Sequence, residues 1–317
     1  MDVYEFRKHV SETLAIPIHD VVRLVVRAPY TYKKYQIPKK SGGFRSIAQP
    51  AKETKVVQQL IIDNVFCLLP VHDCAMAYMR GSSVKKNAQL HRHNQYLSKF
   101  DFTNFFGSIT GADIEAHLTQ CLGEGLSSQS ISDIARVSCI KSNLEGKLCL
   151  SVGAPSSPAL SNSILYEFDL KVYDWCKERD VVYTRYADDL SFSSNHKGIS
   201  ASIEPFLVKV LTDISYPSLF LNKEKTIHVS KKHQRRITGL VIANNGSVSL
   251  GRHRKRLISS MIHRRVNGSL REDDLHVLQG LLGFAQDVEP IFVARMRVKY
   301  GALAIRDILR ARLELSR

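Results

Sequence analysis

The sequence predicts an α+β fold: one central sheet with helices packed on it, followed by a basic helical segment. Three observations predict it. Short apolar or alternating runs of strand length recur along the chain, and stretches with helical apolar spacing separate them. From about Gly251 onward the spacing is helical, and residues 246–317 hold 14 Lys/Arg against 7 Asp/Glu. Strands interleaved with helices bury both apolar faces most simply as a single sheet covered by helices.

The elements follow in order. QIPKKSGGFRSIAQP (36–50) reads as two short strands around a Ser-Gly-Gly turn, closed by Pro50. Residues 52–69 have helical spacing at Val56, Leu60 and Val65. YLSKFDF (96–102) reads as a strand, and Thr110 with Asp113 forms a capping box that opens a helix through Leu122. Ser157-Pro158 starts a helix whose stripe runs through Leu160, Ile164, Phe168, Val172 and Trp175. YTRYADDLSFS (Tyr183 to Ser193) reads as a hairpin with Ala187, Asp188 and Asp189 in its turn. Residues 219–229, 236–242 and 247–250 alternate like strands. GRHRKRLISSMIHRRVNG (251–268) reads as a helix that buries Leu257, Ile258, Met261 and Ile262.

The 317 residues are 44% hydrophobic and 24% charged, ordinary for a globular protein of about two domains. No apolar run approaches the ~18–20 residues that span a bilayer, and MDVYEFRKHVSETL is unlike a signal peptide, so a cytoplasmic protein is expected. Six scattered cysteines show no CxxC or other zinc spacing and read as free buried thiols. Lys and Arg number 45 against 30 Asp and Glu, a net charge of +15. Such an excess favours a polyanionic partner, nucleic acid before an anionic membrane surface.

Against that excess, two adjacent carboxylates between apolar runs are notable. Taken singly, Asp188 and Asp189 read as a solvated turn, and Asp101 in SKFDFTNFF as a turn or capping residue. Taken together, three carboxylates at the ends of neighbouring strands suit a divalent-cation cage. Two Mg²⁺ ions roughly 3.5–4 Å apart there would stabilise the attacking and leaving oxygens of a phosphoryl displacement.

An ordered set of motifs then carries a resemblance: KKSGGFRSIAQP, FDFTNFF, SVGAPSSPALSN, YTRYADD, LNKEKT and RRITGLVI, from about residue 36 to 242. This set resembles the reverse transcriptases, and NAQLH (87–91) with ITG (237–239) resembles the bacterial retron branch. From the length, no endonuclease, maturase or RNase H domain is expected after the basic tail. The resemblance implies a right-hand polymerase: fingers over 1–95, palm over 96–112, a fingers insertion over 113–148, palm again over 149–245, and thumb over 246–317. It implies RNA-directed DNA synthesis with two Mg²⁺ ions, Mn²⁺ as a substitute, on Asp101, Asp188 and Asp189. It further implies deoxynucleoside triphosphates as substrates and a cognate structured noncoding RNA as template and primer. The branched RNA–DNA product called msDNA, a phage-defence setting and a partner effector protein follow from the same branch. The alternatives are a group II intron-like or diversity-generating enzyme, or a catalytically idle RNA-binding subunit.

For the incoming nucleotide, the resemblance implies Lys39 and Arg45 on the triphosphate, with Lys40 the alternative to Lys39. Phe106 is the implied steric gate against a 2′-hydroxyl, and Lys225 the implied proton donor to pyrophosphate. Val152-Gly153 stands where Gln-Gly is usual, so contact with the sugar there falls to packing or backbone. For RNA, Asn87, His91 and Thr238 with Gly239 offer directional hydrogen bonds, which suit reading shape or unpaired bases. The alternative is that NAQLH caps a helix and packs. Arg254, Arg264 and Arg265 suit a duplex backbone, or a solvated basic helix.

Overall fold

The computed structural model describes residues 4–38, 42–142 and 146–311. In chain order these form α1 (Phe6–Leu14), α2 (Ile18–Arg27), β1 (Tyr32–Pro38), β2 (Phe44–Pro50), α3 (Lys52–Asn64) and α4 (Val84–Leu90). Then come β3 (Tyr96–Asp101), α5 (Phe105–Ser108), α6 (Gly111–Leu122), α7 (Ser128–Ser138), β4 (Ile140–Lys141) and β5 (Leu148–Cys149). They are followed by α8 (Ser156–Ile164), α9 (Tyr166–Lys177), β6 (Val182–Tyr186), β7 (Asp189–Ser194), α10 (Ser200–Asp213) and β8 (Ile227–Ser230). The chain closes with β9 (Arg235–Ile237), β10 (Leu240–Ile242), β11 (Val248–Ser249), α11 (Arg252–Val266), α12 (Asp273–Val288), α13 (Pro290–Tyr300) and α14 (Ala302–Arg310). Helix and sheet are mixed, as the α+β expectation has it.

The chain divides into two compact units. One holds the residues up to Gly81 with Ser98–His228; the other holds Ser82–Leu97 with the residues from Val229 onward. The second unit runs wider than the basic tail that composition alone sets apart.

The central four-stranded sheet has the order β6–β7–β3–β8. Phe100 of β3 meets Phe192 of β7 edge-on at 5.7 Å, and Tyr183 of β6 stacks on Phe192 at 4.8 Å. On β3's far side in sequence, Phe102 meets Phe168 of α9 at 5.7 Å. Burying each such side chain stabilises the fold by roughly 1.5–3 kcal/mol, so these rings hold β3 and the β6–β7 hairpin in the core. The capping box at Thr110 is present, with the Asp113 amide donating to the Thr110 hydroxyl at 3.2 Å.

Two expected helices differ. The 157–175 stripe is two helices, α8 and α9, meeting at Leu165, and α8 has no side-chain cap. Ser157 instead turns its hydroxyl inward to accept from the Ser151 amide at 3.3 Å. In α3 the buried stripe is Thr54, Val57, Gln58 and Ile61, while Val56 is exposed, because the helix starts at Lys52 and faces the core one residue later. All six cysteines are free, but Cys67 is exposed and Cys121 half-buried rather than fully buried. Among the described residues no helix is long and apolar enough to cross a membrane.

The second unit contains a small sheet of order β11–β10–β9 and the helices α4 and α11–α14. Its core joins Ala88 and Leu97 to Ile237, Leu240, Ile258, Met261, Ile262 and Leu278. Leu257 is 40% exposed rather than buried. Glu289 ties the start of α11 to this core, accepting from the Leu250 amide at 3.2 Å and from Lys255 at 2.6 Å.

Candidate active site

Asp101 is the last residue of β3, and its backbone carbonyl accepts from the Asn222 amide at 2.7 Å. One residue on, the Phe102 amide donates to the Asp188 carbonyl at 3.2 Å. That bond joins the end of β3 to the hairpin turn. The turn itself is shorter than the sequence suggests. Tyr186 pairs with Asp189, so the loop is Ala187 and Asp188 alone, and Asp189 opens β7. Only Ala187 of the two has a positive φ, 57°. A two-residue hairpin loop needs such a conformation to match the twist of its strands, and most sequences supply Gly there.

All three carboxylates are in the first unit, and their charges are partly compensated. The Lys225 ammonium donates to Asp101 Oδ1 at 2.7 Å, and Lys99 Nζ lies 3.8 Å from Asp189 Oδ1. Burial pushes the Asp188 carboxyl above its ordinary range, and the neighbouring Asp101 and Asp189 charges push it further. Burial also raises Asp189, with the Lys99 charge opposing. The Lys225 ammonium is raised by its hydrogen bond to Asp101. Among the described residues, no three His, Cys, Asp or Glu side chains converge closely enough to hold a metal ion as they stand. The donor chemistry nonetheless suits a hard divalent cation: oxygen donors only, mutually repelling, with ammonium groups already resting on two of them.

Around these carboxylates the other expected residues are unequally placed. Phe105 is buried and stacks on Phe102 at 5.7 Å, so it belongs to the core. Phe106, tilted at 5.2 Å against Phe105, is only half-buried. Arg45 on β2 is exposed, while Lys39 and Lys40 lie outside the described residues. Val152 contributes its backbone: its carbonyl accepts from the Ala48 amide of β2 at 2.9 Å. Gly153 follows with φ 119°.

The second unit holds the residues expected to touch RNA. Asn87 and His91 are 0% and 1% exposed, so neither reaches a ligand from where it stands. α4 turns their face inward, where Ala88 between them joins the core of the second unit. Burial pushes the His91 ring down to about 3, keeping it neutral. Thr238 and Gly239 form the two-residue turn between β9 and β10, with φ 46° and 79°. Positive φ at both positions is the I′ pattern, and for a β-branched residue it is strained. The Thr238 hydroxyl donates to the Val84 carbonyl at the start of α4, 3.2 Å away. Arg254 lies over the Phe284 ring at 5.1 Å, Arg265 pairs with Glu272 at 2.8 Å, and Arg264 is exposed.

Sequence reasoning missed two groups. Tyr78, 55% exposed with φ 63°, has its hydroxyl pushed up by burial first and by the Asp188 and Tyr186 charges next, with Arg45 opposing. Arg185, in the middle of YTRYADD, is completely buried and pairs with Asp169 of α9 at 2.5 Å. A charged residue inside an apolar strand was the available signal.

A family model described as reverse transcriptase (RNA-dependent DNA polymerase) matches residues 37–242. The Retron Ec83 reverse transcriptase of Escherichia coli is 36% identical over 303 residues, 93% of this chain and 94% of the relative. The Retron Ec73 reverse transcriptase of Escherichia coli is 31% identical over 286 residues, 87% and 89% of the two chains. Among solved structures, apo telomerase from Candida tropicalis gives a TM-score of 0.49 at 14% identity, covering 88% of this chain and 61% of that one. The chain belongs to the reverse transcriptase family and is an RNA-directed DNA polymerase. Within that family it stands with the bacterial retron reverse transcriptases.

Proposed function

We propose that this chain copies part of a cognate structured noncoding RNA into msDNA, with Asp101, Asp188 and Asp189 as its catalytic carboxylates. The observation that supports this best is the Phe102–Asp188 backbone bond, which brings Asp101 and the Asp188 turn together inside an otherwise basic protein. Asp101 and Asp188 would hold the divalent cations directly and Asp189, already beside Lys99, would act more peripherally. Bound there, two Mg²⁺ ions, or Mn²⁺ in their place, would stabilise the attacking and leaving oxygens of in-line nucleotidyl transfer.

The chain's own residues do the rest. Arg45, with Lys39, presents cations to the triphosphate, and Arg's planar fork suits phosphate oxygens. The half-buried ring of Phe106 closes the space that a ribose 2′-hydroxyl would need. Lys225, now bonded to Asp101, would be the proton source for departing pyrophosphate. The exposed cations of α11, Arg264 foremost, follow the phosphate backbone of the RNA–DNA product. In this reading the first unit supplies fingers and palm, and the basic helices supply the thumb. Priming from a guanosine 2′-hydroxyl of the same RNA, a cytoplasmic site of action, and service in anti-phage defence with an effector protein complete the proposal.

The test is primer extension on an RNA template by Asp188→Asn. DNA synthesis is expected to vanish while RNA binding and the melting temperature hold. Extension near the parent's rate would remove Asp188 from the chemistry. Co-expression with the noncoding RNA encoded beside the gene should yield a branched RNA–DNA molecule sensitive to debranching enzyme. An unbranched product would remove the retron-specific part alone.

A further inference from the structure

Asp188 has a peptide plane on each side, and both are held. The Asp188 carbonyl accepts from the Phe102 amide at 3.2 Å. The preceding carbonyl, that of Ala187, accepts from Arg185 Nη1 at 3.3 Å. Arg185 is completely buried, and every N–H of its guanidinium has an acceptor. Nε donates to both Asp169 oxygens at 2.9 and 3.1 Å, and Nη2 to Asp169 Oδ2 at 2.5 Å and to the Asn162 carbonyl at 3.3 Å. Nη1 divides its two protons between Asn162 Oδ1 at 3.1 Å and the Ala187 carbonyl. Asp169 is steadied in turn by the Tyr183 hydroxyl at 2.8 Å.

A buried ion pair is seldom more stabilising than apolar side chains of the same volume, so stability alone is a poor reason for this one. One of its six hydrogen bonds goes to the one residue of the loop that is strained. Ala187 sits at φ 57° where Gly would be at ease, and strain at such a position persists only if its surroundings hold it. We infer that Arg185 is a positioning residue: anchored on Asp169 and Asn162, it clamps the Ala187 carbonyl and so aims the Asp188 carboxylate. This rests on the reading of Asp188 as catalytic.

Arg185→Lys tests it, because a lysine can still pair with Asp169 but cannot also reach the Ala187 carbonyl. The kcat for DNA synthesis is expected to fall about 10- to 100-fold, as small misplacements of reacting groups do. KM for deoxynucleotides and affinity for RNA are expected to stay within about two-fold, since uniform binding is untouched. Adding Ala187→Gly to Arg185→Lys relieves the strain that the clamp opposes, and is expected to recover at least about three-fold in kcat. Tyr183→Phe loosens the same network without touching the loop. It is expected to lower the melting temperature and leave kcat alone.

Parent-like kcat in Arg185→Lys would overturn the inference, and so would an equal kcat loss in Tyr183→Phe or no recovery with Ala187→Gly. If Arg185→Lys does not fold, Arg185→Gln with Asp169→Asn, a neutral pair that leaves no lone buried charge, takes its place with the same outcomes on kcat and on Ala187→Gly. An active Asp188→Asn enzyme would sink the catalytic reading itself. A dead Asp188→Asn beside a fully active Arg185→Lys would sink only the positioning role.

Discussion

Gly153→Ala is expected to damage the enzyme through backbone alone. At φ 119° an L side chain is strained, which costs roughly 1–3 kcal/mol. The added methyl would also stand 3.0 Å from the Ala48 carbonyl oxygen and 3.0 Å from Ile47 Cγ2, closer than ordinary contact. Ile47 is half-buried and able to shift, but the Ala48 carbonyl is part of β2, so about 1 kcal/mol or more of crowding adds to the strain. The sum, about 2–4 kcal/mol, corresponds to roughly 5–15 °C in melting temperature for a unit of this size. Gly198→Ala is the control: φ is 94°, but nothing lies within 4 Å of a new methyl, so only the strain applies. Because the Val152 carbonyl holds the Ala48 amide, the push also reaches the strand that carries Arg45. Differential scanning fluorimetry of both variants and steady-state kinetics of Gly153→Ala measure these effects. KM for deoxynucleotides is expected to rise with kcat less changed. A Gly153→Ala melting temperature within 1 °C of the parent, or equal losses in the two variants, would refute the contact argument.

Two further outcomes are expected. Phe106→Ala should raise ribonucleotide incorporation about ten-fold or more, because apolar truncation opens the space beside C2′; unchanged discrimination in a single-nucleotide extension assay would move the gate elsewhere. Stability should decline as pH falls from about 6.5 toward 4. Burial holds His117 at about 4 and His91 at about 3, so below the ordinary histidine value of about 6.5 only the unfolded chain takes up their protons, costing each up to about 1.4 kcal/mol per pH unit. Asp188 and Asp189, raised in the fold, act with the opposite sign nearer the carboxylate range. A melting temperature that is flat between pH 7 and 5 would contradict the neutral burial of both rings.

The placement of the carboxylates was legible in the sequence because each stands beside an apolar run: Asp101 ends β3, Asp188 lies in the hairpin turn and Asp189 opens β7. The hairpin at 183–193 and the Thr110 capping box were legible for a similar local reason, since turn and cap chemistry is written within four residues. What escaped was set by partners distant in sequence. Arg185 makes sense only once Asp169, on another helix, is beside it. Asn87 and His91 have polar side chains, and only the facing of α4 says that they are buried. Val56 and Leu257 were assigned inward by periodicity, yet the true face of each helix is set by where its neighbours lie.

The bond from Thr238 to the Val84 carbonyl has a practical meaning for anyone recombining such enzymes. Residues 82–97 share a core with the C-terminal helices, although more than 130 residues separate them in the chain. A hybrid that exchanges only the basic tail would graft foreign helices onto a resident α4 and cut β10 from β11. Modular swaps between relatives therefore call for two crossovers around 82–97 and a third near Val229, so that the discontinuous piece travels whole.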